Sequence, residues 1–122
     1  MTNNEPKSSD SMKAAIEALR KYYVNNWLEK RNHLETLFEN LERNPKDKTI
    51  IGEFRMSFHR LAGSGGSYGL PDVSISAREA ELLIVPFLDG DEVVSHETIK
   101  KIQNYIQSLD TIFTKAATEI NP

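Results

Sequence analysis

Apolar residues recur along this chain at steps of three and four, the period of helices that bury one face. From Ser11 onward Ile16, Leu19, Tyr22, Tyr23, Trp27, Leu28, His33, Leu34, Leu37, Phe38 and Leu41 follow that rhythm, as one amphipathic helix or two successive ones, with Asn25-Asn26 as the place for a break or a kink. Asn44-Pro45-Lys46-Asp47 stops the pattern, because the residue before a proline is pushed out of the helical region, and Asp47 is suited to cap the next helix. That helix is predicted from about Lys48 to Gly65 with Ile51, Phe54, Phe58 and Leu61 facing the core. Leu70-Pro71-Asp72 opens another, in which Ile75, Ala77, Ala80, Leu82, Leu83 and the run from Val85 to Leu88 are expected on the buried side, with Pro86 either ending the helix or lying in the first turn of a short extension. Asp89-Gly90-Asp91 reads as a turn, and Ser95 with Glu97 and Thr98 opens a last helix carrying Ile99, Ile102, Tyr105, Ile106, Leu109, Ile112 and Phe113.

No strand pair is predicted, so the expected fold class is all-α. Short connections between long amphipathic helices favour an antiparallel four-helix bundle, here with an additional N-terminal helical segment. Residues 1–10 are polar and read as a flexible tail, leaving 11–122 as the bundle domain.

Composition narrows the chemistry. The 122 residues suit one domain, and no apolar run approaches the roughly 20 residues of a membrane span. The polar start carries no secretion-like apolar stretch, and a cytoplasmic protein is expected. With no cysteine, disulfides, thiolate metal sites and cysteine nucleophiles are excluded, so reactivity has to come from histidine, carboxylate or hydroxyl groups. A net charge of −3 supplies no broad basic field, which argues against nucleic acid and anionic membranes as partners. Each apolar stripe has a use inside the bundle, so a monomer is expected.

The residues that stand out are Phe58-His59-Arg60-Leu61-Ala62-Gly63-Ser64-Gly65-Gly66-Ser67-Tyr68-Gly69-Leu70. Glycine costs about 1 kcal/mol relative to alanine inside a helix, so glycines directly after His59 make sense where bulk would obstruct an approaching partner. Successive helical residues turn by about 100°, which groups Arg55, His59, Ala62, Gly63 and Gly66 on a face beside the apolar stripe. The other readings of this stretch lack their supporting residues. No strand precedes the glycines and no Gly-Lys-Ser/Thr closes them, as a nucleotide loop requires. His59 with Glu53, Glu79 or Glu81 lacks metal-ligand spacing, so neither a metal nor another resident cofactor is expected. His33 and His96 have no motif around them and read as structural or solvated residues.

The spacing of His59, Leu61, Gly63, Ser64 and Gly69 resembles the signature of histidine-containing phosphotransfer (HPt) domains, a histidine followed by Leu, Lys, Gly and Ser and then a glycine ten residues on. The resemblance extends over about residues 54–88 and implies a phosphocarrier in a multistep phosphorelay. Such a protein accepts a phosphoryl group on His59 from a receiver-domain aspartate and passes it to another. It implies response-regulator receiver domains and a hybrid histidine kinase as partners, with Mg²⁺ on the receiver and no nucleotide site on this chain. In the phosphotransfer domain of chemotaxis histidine kinases, which this segment also resembles, a glutamate 22 residues beyond the histidine hydrogen-bonds it, a role that falls on Glu81. The family's lysine is replaced by Ala62, so charge compensation has to come from Arg55, Arg60 or Arg78. Met56, Arg60, Ala62, Gly63, Gly66 and Arg78 are the expected docking residues. The competing reading is a noncatalytic adaptor that binds a receiver without accepting phosphate.

Overall fold

The computed structural model describes residues 8–121, which form five α-helices and two short 3₁₀ turns with no strand. The helices are α1 (Ser8–Asn25), α2 (Trp27–Arg43), α3 (Lys48–Ser64), α4 (Pro71–Ile84) and α5 (His96–Ile120), and the turns are Gly66–Tyr68 and Val85–Phe87. Among these residues no helix is long and apolar enough to cross a membrane.

Local chemistry sets the helix ends. The Asp47 carboxylate accepts from the backbone N–H groups of Thr49 at 2.9 Å and Ile50 at 3.3 Å, satisfying donors that α3 leaves open at its first turn. Ser95 Oγ does the same for Thr98 N–H at 3.1 Å at the start of α5. Pro71 occupies the first turn of α4, where its missing N–H costs nothing, and Pro86 sits in the turn after the helix. The break between α1 and α2 falls at Asn26, whose N–H still bonds Tyr22 O at 3.1 Å.

Four helices close a cycle of neighbours: α2 packs on α3, α3 on α4, α4 on α5 and α5 on α2. The core between them holds Phe54, Phe58 and Phe113 with Leu34, Leu41, Ile51, Ile102 and Leu109, all essentially inaccessible. Burying one such side chain is worth about 1.5–3 kcal/mol. Trp27 stacks on Phe113 at 4.4 Å between centroids and donates its indole N–H to Asp110 Oδ1 at 2.8 Å, fastening α2 to α5. The helix α1 adds Tyr23 and Val24 to this core and touches α5, α2 and the Gly66–Tyr68 turn.

Three expectations need correction. Ser8–Asp10 are the first turn of α1 rather than part of a tail; residues 1–7 of that expected tail lie outside the described residues. The N-terminal stripe is not uniformly buried: Ile16, Leu19 and Tyr22 are exposed because only the last turns of α1 meet the bundle, through Tyr23 and Val24, and Leu28 and His33 are exposed because α2 turns Trp27, Leu34, Leu37 and Leu41 inward instead. In α4 the buried side is Val73, Ala77, Ala80 and Ile84, whereas Ile75 and Leu82 are 57% and 63% accessible and Val85 is also exposed. Ile75 and Leu82 are seven residues apart, two turns, so they share one outward face that periodicity alone does not distinguish from an inward one.

Candidate functional site

With Phe54, Phe58 and Leu61 turned inward, His59 stands about 100° round α3 from Phe58 and its side chain is 58% accessible. Opposite it, α4 presents Glu81 next to the buried face made by Ala77, Ala80 and Ile84. The small Ala77 and Ala80, each fully buried, let α4 lie close to its neighbours. At the end of α3 the approach is closer still. A Cβ on Gly65 would stand 2.8 Å from both Ser74 N and Val73 Cβ and 2.9 Å from Leu70 O, so only glycine fits there. The turn is then secured by Leu70 N–H on Gly65 O at 2.8 Å, by Gly66 N–H on Ser74 Oγ at 2.8 Å, and by Gly69 at φ 77°, a left-handed conformation that favours glycine.

This packing brings Glu81 Oε2 to 2.9 Å from His59 Nδ1. A carboxylate can only accept, so Nδ1–H donates, and in the neutral imidazole Nε2 carries the lone pair, away from Glu81. The Glu81 side chain is only 14% accessible, which holds the acceptor in place while the imidazole it orients remains open to solvent. Arg55 joins the same oxygen, its Nε 3.1 Å away, within ion-pair range. The Arg55 N–H is not aligned with that oxygen, and this buried Nε has no hydrogen-bond partner. The contact is therefore electrostatic, and at 38% accessibility of Arg55 it is worth no more than about 1 kcal/mol.

Thus His59, Glu81 and Arg55 come together in one cluster, and the remaining sequence-predicted residues fall into separate places. Met56 is exposed on α3, and a Cβ on Gly63 would meet nothing within 4 Å, so the surface beyond His59 is open. Gly66 is exposed but belongs to the turn, and a Cβ there would touch Ser74 Oγ at 3.6 Å. Ala62 is half-buried against the core. Arg60 turns to the other side of α3, where it lines a groove against α2, and Arg78 is exposed on α4; neither has an ion-pair partner among the described residues. Of the three arginines offered as charge compensation, Arg55 alone makes an ion pair with Glu81.

Two residues of this region escape sequence reasoning. Gly65 is the position that sets how closely α3 and α4 approach, and Ser74 is the acceptor that anchors the turn; both depend on contacts between helices. Among the described residues no group of three or more histidine and acidic side chains is gathered to hold a metal ion. No family model matches the chain, and no curated protein and no solved structure matches it.

Proposed function

We propose that this chain is a histidine phosphocarrier of the HPt type, built as an antiparallel four-helix bundle of α2 to α5 with α1 as an added N-terminal helix. The observation that carries the reading is the 2.9 Å hydrogen bond from His59 Nδ1 to a poorly accessible glutamate, on a ring that is itself largely exposed. The antiparallel order is supported by pairings that descend along α4 as they ascend along α3: Lys48 with Phe87, His59 with Glu81, and Gly66 with Ser74.

In the proposed reaction the Nε2 lone pair attacks phosphorus of an aspartyl phosphate on a receiver domain. The N–P bond forms as the P–O bond to the aspartyl carboxylate breaks, and the electron pair leaves with that carboxylate. The ring gains positive character while Nδ1 keeps its proton, and the Glu81 carboxylate stabilises that charge. Transfer onward reverses these steps on a second receiver aspartate. Because phosphoryl transfer has a loose transition state, positioning and charge compensation supply most of the catalysis. Mg²⁺ belongs to the receiver. Arg55 is the cation assigned to the phosphoryl group, in place of the lysine that Ala62 replaces, and Met56, Gly63 and the exposed α4 residues around Arg78 form the docking face. The partners in this reading are receiver domains and a hybrid histidine kinase in the cytoplasm, with the carrier a monomer.

Ala62 favours a second reading, a receiver-binding adaptor that accepts no phosphate. Incubation with phosphorylated receiver domains separates the two. The carrier gives acid-labile, alkali-stable label on the wild type and none on His59→Gln, whereas retained binding with no label on either protein establishes the adaptor.

A further inference from the structure

The groove between α2 and α3 contains chemistry that phosphoryl transfer at His59 does not use. Its volume is about 290 Å³, near the lower end for small-molecule sites. Leu34 and Leu61, both buried, give it an apolar lining, and Ser57 and Ser64 bring hydroxyl groups. Lys30, His33 and Arg60 line it as well, with Glu29 as the one carboxylate.

No ion pair involves Lys30, His33 or Arg60 among the described residues. Lys30 Nζ lies 4.1 Å from the centroid of the Tyr23 ring, and the Tyr23 hydroxyl is in turn 2.7 Å from Ser64 Oγ, so the ammonium rests against a fixed wall. Burial lowers the Lys30 pKa with no carboxylate offsetting it, the condition in which an incoming anion is most favourable. Lys30 and Arg60 set against Glu29 leave one net positive charge, which complements a monoanion. The planar guanidinium of Arg60 matches a carboxylate in particular.

We infer that the α2–α3 groove binds a small organic monocarboxylate whose aryl or branched-alkyl body packs on Leu34 and Leu61 while its carboxylate meets Lys30 and Arg60. This site is separate from His59, which lies about 100° round α3 from Arg60 and bonds Glu81 on the α4 side. Carboxylate binding in the groove is therefore independent of the phosphocarrier reading.

Titration of the full ¹⁵N-labelled chain with sodium benzoate, at fixed ionic strength and followed by amide chemical shifts, tests it. Saturable shifts confined to residues 29–34 and 57–64 are expected. Arg60→Gln and Lys30→Gln should each weaken binding about tenfold, the size of one charge-assisted contact. Glu29→Gln should tighten it, and His59→Gln should leave it unchanged. Arg60 is exposed, so its variant keeps the fold even if the Lys30 variant does not, and far-UV circular dichroism checks both. Shifts that fail to saturate, that spread to α5, or that are unaltered in Arg60→Gln overturn the proposal. Benzyl alcohol binding as tightly as benzoate overturns it too, since the groove would then select only the apolar body.

Discussion

Two carboxylates in this protein meet both an aromatic N–H and an arginine from a neighbouring helix, and the rings they hold sit in different surroundings. Asp110 on α5 accepts the indole N–H of Trp27 at 2.8 Å and lies 3.3 Å from Arg31 Nη1; Glu81 on α4 meets His59 at 2.9 Å and Arg55 at 3.1 Å. Each pairs an aromatic N–H with an arginine. The Trp27 ring, however, is stacked on Phe113 inside the core, whereas the His59 ring is mostly exposed with an open helical surface beyond it. A ring N–H on a carboxylate locks two helices together in one place and orients a solvent-facing ring in the other. What separates the roles is what the ring packs against.

The largest expected effect comes from removing the buried ring. Trp27→Ala should cost about 3–5 kcal/mol in urea unfolding, through lost burial and the cavity left beside Phe113. His59→Ala should cost only about 1 kcal/mol, the hydrogen bond to Glu81, while abolishing phosphoryl acceptance. Equal losses of stability would break the comparison.

The two glycines two residues apart at the end of α3 sharpen it. Gly65→Ala forces a methyl group against Ser74 N, Val73 and Leu70 O and should destabilise by about 1–3 kcal/mol. Gly63→Ala meets open space and should stabilise the helix by up to about 1 kcal/mol. A large residue at Gly63, such as tryptophan, should leave helix content unchanged and weaken receiver binding, measured by calorimetry; full affinity would remove Gly63 from the docking face.

Smaller effects are expected from the carboxylates. Asp110→Ala should cost about 1 kcal/mol, one partly buried hydrogen bond. Glu81→Ala should cost no more than that but slow phosphoryl acceptance about tenfold, as for loss of a group that orients a reactive ring. The smallest effect is at high pH. Burial raises the Tyr23 pKa, so folding favours the phenol over the phenolate. That contribution is intact below the unfolded value of about 10 and is lost as pH rises through the folded value. Tyr23→Phe should therefore flatten the fall in stability above about pH 10.

Much of this was legible in the chain. The break at Asn25-Asn26, the Asp47 and Ser95 caps and the α3 stripe Ile51, Phe54, Phe58 and Leu61 come from local rules of capping and periodicity, and the structure has them. Periodicity did not distinguish the inward face of α4 from the outward one, because Ile75 and Leu82 repeat as regularly as Ala77 and Ala80. It also did not show how far along α1 the bundle extends, which leaves Ile16 and Leu19 exposed. At the site, rotation round α3 grouped Arg55 with His59, and the pairing of His59 with Glu81 came from the HPt resemblance. The roles of Gly65 and Ser74 arise where two helices meet, and nothing in either segment alone carries them.

The most direct test of the account is to identify the atom that takes the phosphoryl group. The ¹⁵N-labelled chain would be incubated with phosphorylated receiver domains and the product read by ¹⁵N–³¹P coupling. Phosphorus on Nε2 of His59, with Nδ1 still protonated toward Glu81, is the predicted result. Phosphorus on Nδ1, on His33 or His96, or on no histidine would contradict it.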